Sequence, residues 1–305
     1  MNPATPNKLA AVVSIGTNST RALVADLSDE PRIVLARSAG TRIGEGLKET
    51  GKLDAQAMAR TLDAVRDHVR AIREHTTDIC AMATSALRRA SNGDEFAKNV
   101  AQLTGAQLEI VSGEEEARRS FLGAVSGIHE SGTFGVLDVG GGSSEYALGT
   151  HDRIERVVSC EIGAVRLTEA VPELDGTRGA IAAESIEKAH AIAREHLAPI
   201  REFAKAGRLV FVGGTATTAC AVQRGNRDPF VYAQLTRDDA AALAGRLRAL
   251  PLERRKTLPG MNPQRADIML AGLLLLDEVF AAAGAREAAV STNDLLLGTL
   301  LLRRQ

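Results

Sequence analysis

The chain has 305 residues, of which 45% are hydrophobic and 25% charged, and this ordinary globular composition excludes a disordered protein. Its net charge of −1, with no tryptophan and two tyrosines, argues against a basic surface for duplex nucleic acid and against an aromatic platform for single strands. The first eight residues, MNPATPNK, lack the apolar stretch of a secretory signal, and the longest apolar run, residues 268–276, is too short to span a membrane. Three widely spaced cysteines without a CxxC motif are typical of a reduced cytoplasm. We therefore expect a cytoplasmic protein with no nucleic-acid or membrane partner.

The first part of the chain predicts an α/β domain. Strands at 9–15, 21–27 and 32–39 follow one another through short connections, which favours an antiparallel meander. Apolar residues then recur at intervals of four and three from Met58 to Ile72, which predicts a helix over 54–75. Further strands and helices alternate after it, and this alternation indicates a layered domain with parallel pairing; they are strands 78–84 and 108–111 and helices 94–103 and 114–125.

The pattern restarts near Gly127. The elements predicted there are strands at 133–139, 145–148 and 153–160, a helical run at 181–206, a strand at 208–212, several helices, a strand at 287–290 and a last helix from Asn293.

The two starts are alike in sequence. Residues 14–20 (SIGTNST) align with residues 138–144 (DVGGGSS) at an offset of 124, and in each a strand enters a small polar turn and leaves as another strand. We interpret this as an internal duplication, with one domain over 1–127 and a second over 128–305. Two such domains would face their turns across a cleft, where Ser14 and Asp138 would correspond.

Three loops have the composition of anion-binding loops. Each follows an apolar strand, and small residues let backbone N–H groups and hydroxyls approach phosphate oxygens. The predicted phosphate-binding residues are Gly16, Thr17, Asn18, Ser19, Gly140, Gly141, Gly142, Ser143, Gly214 and Thr215.

Charged residues near these loops are candidates for chemistry. Asp138 ends a buried-type strand and Glu145 follows the same turn, so both are candidate magnesium ligands, the alternatives being a solvated turn carboxylate and an exposed strand residue. Among three consecutive glutamates, Glu115 fits a capping box with Ser112, which leaves Glu116 as the candidate general base. Arg88 is a candidate phosphate contact or a solvated side chain.

Taken together, these motifs resemble the exopolyphosphatase / guanosine pentaphosphate phosphohydrolase (Ppx/GppA) family, in its short two-domain form. The matching blocks, in the family's order, are 15–19 (IGTNS), 83–88 (ATSALR), 112–118 (SGEEEAR), 138–145 (DVGGGSSE), 162–168 (IGAVRLT), 214–218 (GTATT) and 265–268 (RADI).

The resemblance implies two actin-like, ribonuclease H-like domains around a central cleft, and an enzyme that removes the terminal phosphate of inorganic polyphosphate or of guanosine pentaphosphate with Mg²⁺. By motif position, the resemblance implies Glu116 as catalytic residue, Asp138 and Glu145 near the metal and Arg88 on phosphate. A homodimer is likewise an expectation from the resemblance. Ser14 departs from the family, which has an aspartate there, and this keeps a phosphate or nucleotide sensor without turnover as an alternative. A sugar or acetate kinase of the same superfamily is a further alternative, which the Glu116 block disfavours.

Overall fold

The chain divides into two compact units in its computed structural model. The structure describes residues 9–28, 30–204 and 207–304; the first eight residues, Asp29, residues 205 and 206, and Gln305 lie outside it. The first unit takes the chain up to Ser112 and again from Leu296, and the second runs from Gly113 to Leu295. Within the described ranges, no helix is both long enough and apolar enough to cross a membrane.

The first unit is built on a five-stranded mixed sheet in the order β3-β2-β1-β4-β5. Strands β1, β2 and β3 are antiparallel neighbours, and β4 pairs in parallel with β1 and with β5. Its elements up to Ser112 are β1 (Leu9–Ile15), β2 (Thr20–Asp26), β3 (Arg32–Ala39), α1 (Leu47–Thr50), α2 (Ala55–Arg73), β4 (Ile79–Ala83), α3 (Ser85–Arg89), α4 (Gly93–Thr104) and β5 (Leu108–Ile110).

Helix α2 shows why the predicted periodicity is realised. Asp54 caps its start, with a carboxylate oxygen 2.9 Å from the backbone nitrogen of Ala57. The apolar stripe of the helix, including Val65, Val69 and Ile72, is buried in one core with strand residues of β1 and β2. Burial of this face stabilises a helix whose other face is charged.

The second unit contains a six-stranded mixed sheet in the order β10-β11-β9-β6-β7-β8. Its elements are α5 (Gly113–Val125), β6 (Phe134–Val139), β7 (Ser144–Gly149), β8 (Ile154–Cys160), α6 (Ala164–Ala170), α7 (Ala183–His196), α8 (Ala198–Arg201), β9 (Arg208–Val212), α9 (Gly213–Arg224), β10 (Tyr232–Thr236), α10 (Arg237–Ala249), α11 (Leu252–Lys256), α12 (Met269–Ala283) and β11 (Glu287–Ser291), with short 3₁₀ turns at Pro172–Asp175 and Pro263–Arg265. Helix α13 (Leu295–Arg304) closes the described chain.

The two sheets repeat one topology. In each, the first strand is antiparallel to the second and parallel to the fourth, and the third strand lies outside the second. The five strands of the first sheet, β1 to β5, thus correspond in order to β6, β7, β8, β9 and β11 of the second. Strand β10 is an additional strand at the edge of the second sheet. The predicted fold class, two actin-like α/β domains, is confirmed.

Three details differ from the sequence-based expectations. Strand β10 lies in a segment predicted as helical, and it is an edge strand of only five residues, which is too short a run to show a clear period in the sequence. The helical run expected at 181–206 is interrupted at Leu197, because Pro199 in the first turn of α8 cannot continue the hydrogen bonding of α7; residues 205 and 206 of that prediction lie outside the described part. The last helix begins at Leu295 rather than Asn293.

The compact units also divide at a different residue from the predicted domains, which met after residue 127. Helix α5 packs on β6, β7 and β8, so the chain enters the second unit at Gly113. The C-terminal helix returns to the first unit, where the Thr299 hydroxyl contacts the sulfur of Met82 at 3.4 Å and Arg303 pairs with Asp78 at 2.8 Å.

We predict that His68 makes the stability of the first unit sensitive to acid. Its Nε2 lies 3.2 Å from the carbonyl oxygen of Thr20, and burial lowers the pKa of His68 below 6.5, assisted by Arg37 and opposed by the Thr20 bond and Asp67. The unfolded chain then binds the proton at a higher pH than the folded chain. The free energy of unfolding therefore has its full value above about pH 6.5, and it decreases as the pH is lowered below about 6.5.

The measurement is thermal unfolding from pH 7.5 to 5.5 for the wild type and for His68→Gln, with His75→Gln as a matched control on a half-exposed histidine just beyond α2. The melting temperature of His68→Gln should fall less over this range than those of the other two. Equal pH dependence in all three proteins would contradict the prediction.

Candidate functional site

The two glycine turns have the same hydrogen bonding. In the first turn, residues 16–19, the Gly16 N–H donates to the Ser19 carbonyl at 3.0 Å, and in the second turn, residues 140–143, the Gly140 N–H donates to the Ser143 carbonyl at 3.0 Å. A Cβ on either glycine would lie within 3.2 Å of the closing carbonyl oxygen. The duplication seen in the sequence is therefore present in the backbone of both turns.

Beside the second turn, two carboxylates lie next to each other. Asp138 on β6 is directly opposite Glu145 on β7 in the antiparallel ladder, so their side chains share one face of the sheet. The Ser120 hydroxyl of α5 donates to Asp138 Oδ2 at 3.3 Å. Glu116 precedes Ser120 by one helical turn and lies on the same face of α5. The second unit thus brings the predicted residues Glu116, Asp138 and Glu145 together.

Burial separates the three consecutive glutamates of α5. Glu114 is exposed, Glu115 is half-buried and accepts a bond from Arg119 at 2.9 Å, and Glu116 is 7% exposed. The helix begins at Gly113, which places Ser112 at the predicted capping position. The glutamate that capping leaves unexplained is thus the one that faces the sheet.

The carboxyl group of Glu145 is buried in a negatively charged environment. Its side chain is 2% exposed and accepts a bond from the Ser159 hydroxyl at 2.9 Å and another from Ser143. Burial raises the pKa of Glu145 well above its usual range, and the charges of Glu116 and Asp138 raise it further, against the two serine bonds. Adding a cation would offset this concentration of negative charge.

The donor atoms at this place fit magnesium. Asp138 is half-exposed and Glu145 is its direct neighbour, and carboxylate oxygens are the ligands that Mg²⁺ prefers. Within the described ranges, no group of three or more His, Cys, Asp or Glu side chains is arranged to hold a metal ion. Asp138 and Glu145 would supply carboxylate oxygens to a magnesium ion here, and water and phosphate oxygens would complete its coordination, as is usual for this ion.

The third predicted loop brings an additional residue to the site. Helix α9 begins at Gly213, whose φ is +81°, and a Cβ there would lie 2.3 Å from Asp138 Oδ1. A Cβ on Gly214 would lie 2.0 Å from Cζ of Arg265, so the guanidinium rests against the first turn of α9. The start of a helix carries positive partial charge, so a cation placed there favours an anion between them. Arg265 lies in one of the sequence blocks described above, but nothing in the neighbouring sequence indicates that it lies beside Gly214.

Two other predicted contacts are engaged with backbone. Thr215 Oγ1 donates to the Val139 carbonyl at 3.3 Å, and Arg88 Nη1 donates to the Val111 carbonyl at 2.7 Å. The first of these bonds joins α9 to β6, and the second joins α3 to the segment after β5. Both residues therefore have a structural role whether or not they also bind phosphate.

The side chains of the first turn point inward rather than into solvent. Thr17 is buried, and its hydroxyl has no hydrogen-bond partner among the described residues. The Asn18 side-chain amide donates to the Ser19 hydroxyl at 3.2 Å. An anion at this turn would therefore meet mainly backbone N–H groups.

Comparison with known proteins shows the family of the chain. A sequence model of the Ppx/GppA phosphatase family matches residues 22–299. Exopolyphosphatase 2 of Mycobacterium tuberculosis is 32% identical over 323 residues, which cover 95% of this chain and 97% of that protein. The bifunctional 3-dehydroquinate synthase/phosphatase of Fusobacterium nucleatum is 29% identical over 97% of this chain and 46% of its own length.

Solved structures give the same result. An exopolyphosphatase-like protein superimposes with a TM-score of 0.88 at 27% identity, over 97% of this chain and 98% of that one. The Ppx/GppA enzyme of Aquifex aeolicus superimposes with a TM-score of 0.79 at 27% identity, over 96% of this chain and 99% of that one. Because the family match, the relatives and the structures all extend over most of the sequence, this chain belongs to the Ppx/GppA phosphatase family.

Proposed function

We propose that this protein is an exopolyphosphatase, which hydrolyses the terminal phosphoanhydride bond of inorganic polyphosphate. Members of its family are phosphatases, and the M. tuberculosis relative is named for this activity. The observation that carries the proposal is the position of Glu116, buried on α5 beside Asp138 and Glu145. A hydrolase must deprotonate a water molecule, and a carboxylate beside two others favours taking up a proton.

The chemistry requires one proton acceptor and several groups that bind oxygen anions. Glu116 takes a proton from water as the water oxygen bonds to the terminal phosphorus, and the bond from that phosphorus to the bridging oxygen breaks. Orthophosphate leaves, and the shortened chain keeps the bridging oxygen. Backbone N–H groups of the second turn and the Arg265 guanidinium, which lie in the same unit as Glu116, stabilise the charge on the phosphoryl oxygens.

Magnesium fits the same arrangement. Asp138, with Glu145 behind it, would hold the ion, and the ion would supply positive charge to the phosphoryl oxygens. The same residues would act on the 5′-terminal phosphate of guanosine pentaphosphate, which is also joined by a phosphoanhydride bond.

The test of the proposed function offers polyphosphate, guanosine pentaphosphate and ATP separately, with and without magnesium, and measures the phosphate that is released. We expect phosphate to be released from polyphosphate when magnesium is present and not when it is absent.

A second candidate, a phosphate or nucleotide sensor without turnover, has one observation in its favour. The repeat places Ser14 where the second unit has Asp138, and Ser14 lies opposite Arg21 where Asp138 lies opposite Glu145. The first turn is thus flanked by a serine and an arginine where the second is flanked by two carboxylates. Magnesium affinity rises with the number of charged ligands, so the first unit would contribute little to it.

We predict that Glu116→Gln lowers turnover by about 100-fold or more while the protein stays folded, since loss of a general base has an effect of that size. Glu115→Gln is the matched control, because it changes the neighbouring glutamate, whose carboxylate pairs with Arg119. The measurement is the rate of phosphate release from polyphosphate at saturation, with circular dichroism as a check on folding. Full activity in Glu116→Gln, or a larger loss in Glu115→Gln, would refute the assignment.

We predict that Arg265→Gln raises KM for polyphosphate about tenfold or more, because a charge-assisted bond to phosphate is worth roughly 1.5–3 kcal/mol. Arg254→Gln, on the exposed face of α11, should leave KM unchanged. Steady-state kinetics on both variants provides the comparison. Equal KM values in wild type and Arg265→Gln would place the guanidinium outside the substrate site.

We predict that Ser14→Asp lowers the magnesium concentration needed for half-maximal phosphate release, because it restores the carboxylate that the repeat predicts near the metal. The measurement is a magnesium titration at fixed polyphosphate for wild type and variant. Superimposable curves would show that residue 14 is not near the ion. No activity in the wild type together with activity in the variant would support the sensor.

A further inference from the structure

In each sheet, the third strand is followed by a segment that has no role in the proposed mechanism. The first strap, residues 41–46 (TRIGEG), follows β3, and the second strap, residues 162–166 (IGAVR), follows β8 and enters α6. The second lies within one of the blocks that match the family. Each strap contains a glycine that approaches one of the glycine turns, Gly44 in the first and Gly163 in the second.

The first strap binds the carbonyl groups at the centre of the first turn. The Gly44 N–H donates to the Thr17 carbonyl at 3.1 Å, and the Arg42 N–H donates to the Asn18 carbonyl at 3.0 Å. In a trans peptide the C=O of one residue and the N–H of the next point in opposite directions. The described chain has no cis peptide bonds, so the N–H groups of Asn18 and Ser19 point away from the strap.

The second strap does the same to the second turn. The Ala164 N–H donates to the Gly140 carbonyl at 2.9 Å, and the Val165 N–H donates to the Gly141 carbonyl at 2.9 Å. By the same peptide geometry, the N–H groups of Gly141 and Gly142 point away from α6. Consecutive N–H groups on one side of a turn form a concave site for an anion, whereas carbonyl oxygens on that side would repel it.

The straps lie so close to the turns that only glycine fits. A Cβ on Gly44 would lie 2.4 Å from Thr17 Cγ2, and a Cβ on Gly163 would lie 2.6 Å from the carbonyl oxygens of Gly140 and Gly141. The first clash is with a side-chain methyl and the second with backbone. The difference makes Gly44 suitable for an experiment, since the methyl group of Thr17 can be removed.

The first strap is also fixed at a conformational cost. Arg42 has φ of 51°, the one positive value among the non-glycine residues described, and an L-residue is strained in this conformation because its Cβ approaches the following carbonyl oxygen. Its neighbours anchor it: Ile43 is fully buried, and the Thr41 hydroxyl lies 2.8 Å from the Thr20 hydroxyl. Backbone strain of this kind is found where a surrounding structure enforces a functional geometry.

We propose that each strap sets the direction of the peptide groups in the glycine turn of its own unit, so that N–H groups rather than carbonyls are presented to a bound phosphate, and that Gly44 and Gly163 are positioning residues for phosphate binding. This proposal rests on the proposed function, because it takes the turns as phosphate-binding.

A double-mutant cycle tests it. Gly44→Ala should raise KM for polyphosphate at least tenfold, because the added methyl displaces the turn. In the Thr17→Ser background, which lacks the opposing methyl, the same Gly44→Ala change should raise KM less than threefold. Gly245→Ala, at a helical position with open space around its Cβ, is the matched control and should leave KM unchanged. An equal effect of Gly44→Ala in both backgrounds, or none in either, overturns the proposal.

The wild-type protein provides a second measurement that does not depend on a variant folding. Amide hydrogen exchange should show the Arg42 and Gly44 amides protected with and without tripolyphosphate, and the Asn18, Gly141 and Gly142 amides protected only on its addition. If these three amides do not respond to tripolyphosphate that calorimetry shows to be bound, the proposal is overturned. If the wild type releases no phosphate from polyphosphate, the proposed function fails, and the same cycle read as the Kd for tripolyphosphate still decides whether the straps act on the turns.

Discussion

The feature on which the second unit depends is the grouping of three carboxylates at the ends of β6 and β7. Glu145 is buried beside Asp138, and Glu116 approaches both from α5, so negative charge accumulates where little water can screen it. The surrounding residues accommodate this charge in two ways. Three serine hydroxyls, those of Ser120, Ser143 and Ser159, bond to the carboxylates, and Gly213 leaves the space that Asp138 occupies. A site of this kind is suited to a ligand that brings its own cation.

The duplicated units show how one backbone arrangement takes up two kinds of charge. Both hairpins close through the same glycine-to-serine bond, and the residues before and after the turn are paired in the same register. In the second unit that pair is Asp138 and Glu145, whereas in the first it is Ser14 and Arg21. The backbone of the turn is therefore duplicated, and the charge of the residues that flank it is not. A sequence comparison that weighs only the glycines would treat the two turns as equivalent.

The strands, the turns and the buried glutamate Glu116 were accessible from the sequence because each has a local signal. Strands showed apolar runs between turn residues, and Glu116 remained after capping had explained Glu115. Other features had no such signal. Strand β10 has only five residues and lies at an edge, and so short a run gives no clear period in the sequence. Residue 44 must be glycine because the methyl group of Thr17, in another part of the chain, lies against it. The guanidinium of Arg265 occupies space that a side chain on Gly214 would fill. Such pairings follow from tertiary packing and cannot be derived from spacing.

The order of the chain through the two units bears on how the protein forms. The second unit is one continuous stretch, whereas the first is completed by α13, whose Thr299 and Arg303 contact Met82 and Asp78. During synthesis on the ribosome, the strands of the first unit are therefore made before the second unit, and α13 is made after it. In the interval the β4 region of the first unit lacks the helix that contacts it, and exposed apolar surface of this kind is open to chaperones and proteases.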